Sequence, residues 1–318
     1  MSVIKATNKL VTVRNQQLAQ LIEAIGKVVL GKENQIRLAI TCLLAQGHLL
    51  IEDLPGMGKT TLAQVIARVF GLEFQRVQFT SDLLPADILG SNIFERSQGK
   101  FVFHPGPIYA QLVLADEVNR ATPKTQSALL EAMEEHQVTI EGETRPLPTP
   151  FFVIATQNPA HQIGTYPLPE SQLDRFLLRV ELGYPEKEFE RTLLKGTDRR
   201  DLLDDIEPVM SRRELLALQE QVKQVTVSDT LVEYVMELVQ KTRDSAHFVH
   251  GLSPRGAISL IRAARAWALL HDRGFVLPED VQQVFEAVSL HRLQSAGHSQ
   301  SGSQEQIHSL LETTRVPD

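Results

Sequence analysis

In the stretch EDLPGMGKTT, Glu52–Thr61, a lysine and two threonines follow two closely spaced glycines. Gly58-Lys59-Thr60 ends as a phosphate-binding loop ends, but the motif G-x-x-x-x-G-K-[ST] asks for a glycine where this chain has Asp53. Such a loop works through its backbone. Gly56 and Gly58 would let amides approach the phosphates, Lys59 would bridge the β- and γ-phosphates, and Thr60 would hold Mg2+. A βα turn without any ligand can carry the same tripeptide, so the surroundings decide.

A second group of residues supplies what a phosphate loop lacks. LVLADE places Asp116 and Glu117 at the end of an apolar run, where Asp116 can orient a Mg2+ shell and Glu117 can polarise an attacking water. An acid next to that shell favours hydrolysis, because a kinase must exclude water. Asn158, at the end of FFVIATQNP, can reach the γ-phosphate or the water. Arg175 in PESQLDRF and Arg255 in GLSPRGA are the two arginines to watch, although an isolated arginine is usually a surface charge.

These residues need elements to position them. Amphipathic helices are expected over about 16–30 and 33–46, and HLLIED reads as a brief buried strand leading into the loop. KTTLAQVIARVF then reads as the helix that points its N-terminus at the anion, closed by Gly71. EFQRVQF, QLVLADE, PFFVIAT and LLRVEL supply four more strands, and KTQSALLEAMEE has helical spacing. Strands alternating with helices predict an α/β domain with a parallel five-stranded sheet. NIFERSQGKFVFHPG and QVTIEGETRPLP read instead as hairpins inserted at one end of that sheet. After Gly183-Tyr184-Pro185 the pattern turns helical, with Ser211 and Glu214 forming a capping box, Ser228 or Asp229 capping the next helix, and Pro254 and Pro278 at first turns. The division expected is a core over 1–184, a helical domain of about four helices over 185–294, and a polar, loosely ordered tail over 295–318.

Composition narrows the class. The chain has 318 residues, 42% of them hydrophobic and 22% charged, with a formal net charge of −7, which argues against a protein that mainly coats phosphate backbones. Cys42, the only cysteine, reads as a small buried residue. No apolar run approaches the roughly 20 residues of a bilayer span, and no signal pattern opens the chain, so the cytoplasm is expected.

The quoted residues resemble an AAA+ ATPase and, more narrowly, the MoxR family. The likeness rests on VLADEVNRATPKTQSALLEAMEEHQVTI, FVIATQNPAHQIGTYPLPESQLDRF and GLSPRGAISLIRAARAWALLHDRGFVLPEDV, and extends from about Gly31 to Leu290. The resemblance implies a P-loop core with a C-terminal helical lid, binding ATP and Mg2+. Walker A would comprise Pro55, Gly56, Met57, Gly58, Lys59, Thr60 and Thr61, and Walker B Asp116 and Glu117, with Thr60 and Asp116 on the metal. Asn158 falls on sensor 1, and Arg255 on sensor 2, which reaches the nucleotide from the lid. Arg175 matches an arginine finger lent to a neighbouring subunit, and Val29, Leu30 and Gly31 the adenine corner. The hairpins match a helix-2 insert (about 92–103) and a pre-sensor-1 hairpin (about 138–145). His136 and His161 stand where an arginine and an acid are expected, and read as ordinary polar residues. The implied assembly is a ring, a hexamer, and the implied work is chaperone-like maturation of a partner complex containing a von Willebrand factor A domain. Two alternatives are a nucleic-acid motor, disfavoured by charge and by hairpins lacking interleaved aromatic and basic residues, and a motor subunit resembling magnesium chelatase.

Overall fold

The computed structural model describes residues 16–97, 99–158, 164–195, 201–296 and 300–316. The chain is helical from 16 to 28 (α1) and over Glu33–Leu44 (α2), broken where Gly31 takes a φ of +68°. Strands β1 (Leu49–Glu52), β2 (Phe74–Gln78), β5 (Leu112–Asp116), β8 (Phe152–Gln157) and β9 (Leu178–Val180) form one parallel sheet in the order β2-β5-β8-β1-β9. Helix α3 (Lys59–Val69) links β1 to β2, and α4 (Pro85–Leu89) and α5 (Pro123–Glu135) follow β2 and β5. The two insertions are antiparallel hairpins, β3 (Gly90–Glu95) with β4 (Lys100–Pro105), and β6 (Gln137–Ile140) with β7 (Glu143–Pro146).

Side chains alternate through the sheet as strand geometry requires. Leu49, Ile51, Leu114, Ile154 and Leu178 enter one apolar cluster, while Leu50, Val113, Ala115 and Val153 enter another on the opposite face. Both faces are covered, which is why these strands read as continuous apolar runs.

The C-terminal half is helical: α7 (Lys187–Lys195), α8 (Asp201–Asp204), α9 (Arg212–Gln224), α10 (Asp229–Asp244), α11 (Pro254–Leu270) and α12 (Pro278–Ser289), after a short α6 (Glu170–Leu173) in the core. Ser211 Oγ accepts the Glu214 amide and Glu214 accepts the Ser211 amide at 2.8 Å, closing the expected capping box at α9. Ser228, rather than Asp229, caps α10, accepting from the Leu231 amide at 3.2 Å. Pro254 and Pro278 start α11 and α12. These helices share an apolar cluster with α2, α3 and β1: Leu218, Leu238, Leu260 and Phe285 join Ile40, Leu49 and Ile66. The core of the sheet therefore runs without a break into the helical half.

The tail differs from expectation. Where loose order was expected, Gln300–Thr313 forms α13, which buries Ile307 and packs Leu310 and Leu311 against the cluster shared with α12. A sparse apolar stripe in polar sequence suffices when a neighbouring helix offers a partner face. Cys42 is fully buried, and burial pushes its thiol pKa up. Among the described residues no helix is long and apolar enough to cross a membrane.

Candidate nucleotide-binding and hydrolysis site

At the C-terminal end of β1 the chain turns through Pro55, Gly56, Met57 and Gly58 into α3, with Gly58 left-handed at the N-cap. Gly56 and Gly58 have φ of +84° and +87°, and a Cβ on either would meet nothing within 4 Å. Only glycine takes this backbone without strain, and the space above it is open. Pro55 and Gly56 are exposed, Met57 packs on the core, and Thr60 and Thr61 are half-buried in the first turn of α3. The loop thus brings a cationic side chain, hydroxyls and a helix N-terminus together, a set whose chemistry suits phosphate groups.

Lys59 is 7% exposed. Its Nζ donates to the backbone carbonyl of Asp53 at 2.6 Å and to Oδ1 of Asn158 at 3.2 Å. Burial pushes the ammonium pKa down, and the carboxylates of Asp53, Asp116, Glu117 and Glu52 pull it back up. Asn158 also donates through Nδ2 to Oε1 of Glu117 at 3.2 Å, so one amide spans the loop lysine and the candidate base.

Asp116 ends β5, and Glu117 just beyond it turns left-handed (φ 56°, ψ 48°) out of the strand. Thr156 on β8 fixes that turn: its hydroxyl donates to Asp116 Oδ1 at 2.6 Å and accepts the Glu117 amide at 2.9 Å. Arg76 on β2 donates twice to Asp116 Oδ2, at 2.6 and 3.1 Å. Glu117 Oε2 accepts from Gln78 at 2.9 Å and pairs with Arg120 at 3.1 Å. Arg76, Gln78 and Thr156 have no motif of their own; the strand order β2-β5-β8 brings them to the two carboxylates.

Asp53, the departure from the general motif, carries a structural load. Its carboxylate accepts the Leu54 amide at 2.8 Å and the Gly183 amide at 2.6 Å, tying the loop entrance to the chain leaving β9. The Val29-Leu30-Gly31 corner lies under α7: Val29 is buried, and a Cβ on Gly31 would collide with the Phe189 ring. Lys32 donates to the Tyr184 carbonyl at 2.8 Å at the same corner. Phe189 lacks a sequence signal because its neighbours in KEFER read as an ordinary exposed helix.

Arg175 and Arg255 are not brought to this cluster. Arg175 lies just before β9, where the Leu177 amide donates to the His48 carbonyl at the N-terminal edge of β1. The four residues of β1 stand between that edge and the phosphate loop, about 13 Å of strand. Arg255 is beside Arg175: the two pair with opposite oxygens of Glu134, at 2.7 Å (Arg255) and 2.8 Å (Arg175). Arg255 therefore does not point from the helical half to its own loop. His136 ends α5 in a left-handed cap, and His161 lies outside the described residues.

The chain is similar to known ATPases along most of its length. Residues 48–178 match the family model described as "ATPase family associated with various cellular activities (AAA)", and residues 240–311 match an AAA lid domain. The chain is 46% identical over 276 residues to the YeaC protein of Bacillus subtilis, covering 87% of this chain and 86% of that one. It is 40% identical over 285 residues to the chaperone MoxR1 of Mycobacterium tuberculosis, covering 87% and 75%. It is 33% identical over 294 residues to the MoxR protein of Paracoccus denitrificans, covering 85% and 86%. A crystal structure of a candidate ATPase from Cytophaga hutchinsonii superimposes with a TM-score of 0.90 at 35% identity, covering all of both chains.

Proposed function

Because this chain belongs to the MoxR family of AAA+ ATPases, we propose that it hydrolyses ATP at sites shared between neighbouring copies and uses the energy to remodel a partner protein complex. The observation that carries this reading is the placement of two groups at opposite edges of one sheet. Lys59, Asn158 and Glu117 are linked at the C-terminal edge, while Arg175 and Arg255 stand together at the N-terminal edge. An arginine that cannot reach its own phosphates can serve those of the next subunit, and a head-to-tail contact of that kind makes a ring when its rotation closes. A hexamer is the ring size expected.

Within a site, the loop and Lys59 bind the phosphates, and Glu117 orients and polarises the attacking water. Asn158 keeps that carboxylate in register with the lysine. Mg2+, when bound, would be held by Thr60 and Asp116 and would neutralise charge between the β- and γ-phosphates. Arg175 and Arg255 of the neighbour would stabilise charge developing on the γ-phosphoryl group, an effect worth about 10³–10⁵ in turnover for arginine fingers. Val29, Leu30 and Gly31, covered by Phe189, would seat the base. The partner proposed is a protein with a von Willebrand factor A domain, met in the cytoplasm.

Mixing tests the shared site. Glu117→Gln subunits keep Arg175 to lend, and Arg175→Ala subunits keep their own Glu117. Each alone should be nearly inactive, and the mixture should regain turnover. Wild-type turnover by Arg175→Ala alone would remove the basis for the ring.

One observation keeps a nucleic-acid motor as a second reading. At the β3–β4 hairpin Phe94 and Phe101 are exposed and meet edge to face at 5.3 Å, with exposed Arg96 and Lys100 beside them, so aromatic and basic groups do interleave there. Stimulation of turnover by single-stranded DNA, lost in Phe101→Ala, would favour it.

A further inference from the structure

Glu134 occupies the last turn of α5, and neither the loop chemistry nor the motifs give it a role. Its Oε2 pairs with Arg175 Nη1 at 2.8 Å, and its Oε1 with Arg255 Nη2 at 2.7 Å. One carboxylate thus joins an arginine of the core to one of the helical half, 41 and 121 positions away in sequence. Arg175 Nη1 also donates to the Leu130 carbonyl at 2.6 Å, one helical turn before Glu134, so the guanidinium lies along the end of α5, where carbonyls favour a cation.

The charges around this point do not cancel. Asp174 is held by Arg292 at 2.7 Å, and Arg262 donates to the backbone carbonyls of Ala45 and Gln46 at 2.7 and 3.1 Å. All four arginines line one open pocket with Glu134 and Asp174, four cations against two carboxylates. The pocket therefore favours an anion carrying more charge than the single carboxylate already placed between Arg175 and Arg255.

We infer that Glu134 is a specificity-determining positioning residue. It fills the place of a neighbouring subunit's γ-phosphate and lets Arg175 and Arg255 exchange partners only for a group of higher charge, so that ATP but not ADP engages them. The inference rests on the shared-site reading above. A neutral amide in place of Glu134 leaves Arg175 without its carboxylate and Arg255 with only the longer contact to Asp174 at 4.0 Å, and the weaker charge of an ADP-bound site then recruits them.

Sedimentation velocity of wild type and Glu134→Gln, with ADP and with a non-hydrolysable ATP analogue, tests it. Wild type should associate far more strongly with the analogue than with ADP. Glu134→Gln should gain about tenfold in association with ADP, the size expected from two partly exposed ion pairs, and much less with the analogue. Equal shifts with both nucleotides, or no shift, would overturn the assignment. So would a joint loss of association and melting temperature, which would make Glu134 merely structural. Glu134→Asp, which keeps the charge, should restore most of the discrimination. If the mixture of Glu117→Gln and Arg175→Ala subunits recovers turnover while Glu134→Gln still discriminates like wild type, only the role of Glu134 falls. If the mixture does not recover, the shared site falls and the role of Glu134 with it.

Discussion

Arg76 places two N–H donors on a single oxygen of Asp116, Oδ2, while Thr156 takes the other oxygen. The carboxylate proposed to serve Mg2+ is thus already paired with a cation, which would have to share it or leave for a metal to bind there. Arg76→Gln should lower the Mg2+ concentration for half-maximal binding of a fluorescent ATP analogue, by about threefold to tenfold for a partly exposed pair. An unchanged or raised Mg2+ requirement would show that Arg76 does not compete.

Asn158→Ala removes the bridge between Lys59 and Glu117 while leaving both ends in place. Turnover should fall by about 10²-fold, the usual loss for one preorganised donor, with nucleotide affinity little changed. Steady-state kinetics beside equilibrium binding separate the two effects. A loss in affinity alone would make Asn158 a binding residue and nothing more.

Restoring the motif's glycine should harm this protein. Asp53→Gly strands the Leu54 and Gly183 amides and adds backbone freedom, costing about 1–3 kcal/mol. Denaturant unfolding reads that cost. A variant as stable as wild type would mean that the two bonds are made equally well by water.

Acid should weaken the fold through two buried imidazoles. His48 accepts the Val153 amide at 3.0 Å and pairs with the Met133 carbonyl at 3.1 Å, and burial lowers its pKa to about 3; burial also holds His291 well below its ordinary value. Both stay neutral when folded but gain a proton when unfolded, below about pH 6.5. The unfolded state then binds more protons, so this stability is complete above pH 6.5 and is lost as pH falls toward the folded values. Unfolding free energy should drop by about 1 kcal/mol per imidazole between pH 7.5 and 5.5. A flat profile across that window would contradict the burial of both rings.

What the sequence made legible was what a short stretch of chain carries by itself. Lys59 and Thr60 start a helix, Asp116 ends a strand with Glu117 next to it, and Gly56 and Gly58 just before Lys59 give the loop its left-handed backbone. Arg76, Thr156 and Gln78 escaped because their importance comes from strand order: β5 lies between β2 and β8, and no local pattern states which strands are neighbours. The same reason hid the meeting of Arg255 with Arg175, since a motif match names a residue without saying which edge of the sheet it reaches. The α13 helix was missed because its burial rests on Ile307 and two flanking leucines in a polar run. Its partner surface on α12 appears only once the chain is folded.

The apolar cluster that begins under β1 and passes through α2 into α11 and α12 has a mechanical consequence. Among the described residues this cluster couples the helical half to one face of the sheet, so the two should unfold together. Heating should therefore melt the described chain in one cooperative step, with the calorimetric and van't Hoff enthalpies equal, and two resolved transitions would show that the helical half comes away from the sheet by itself.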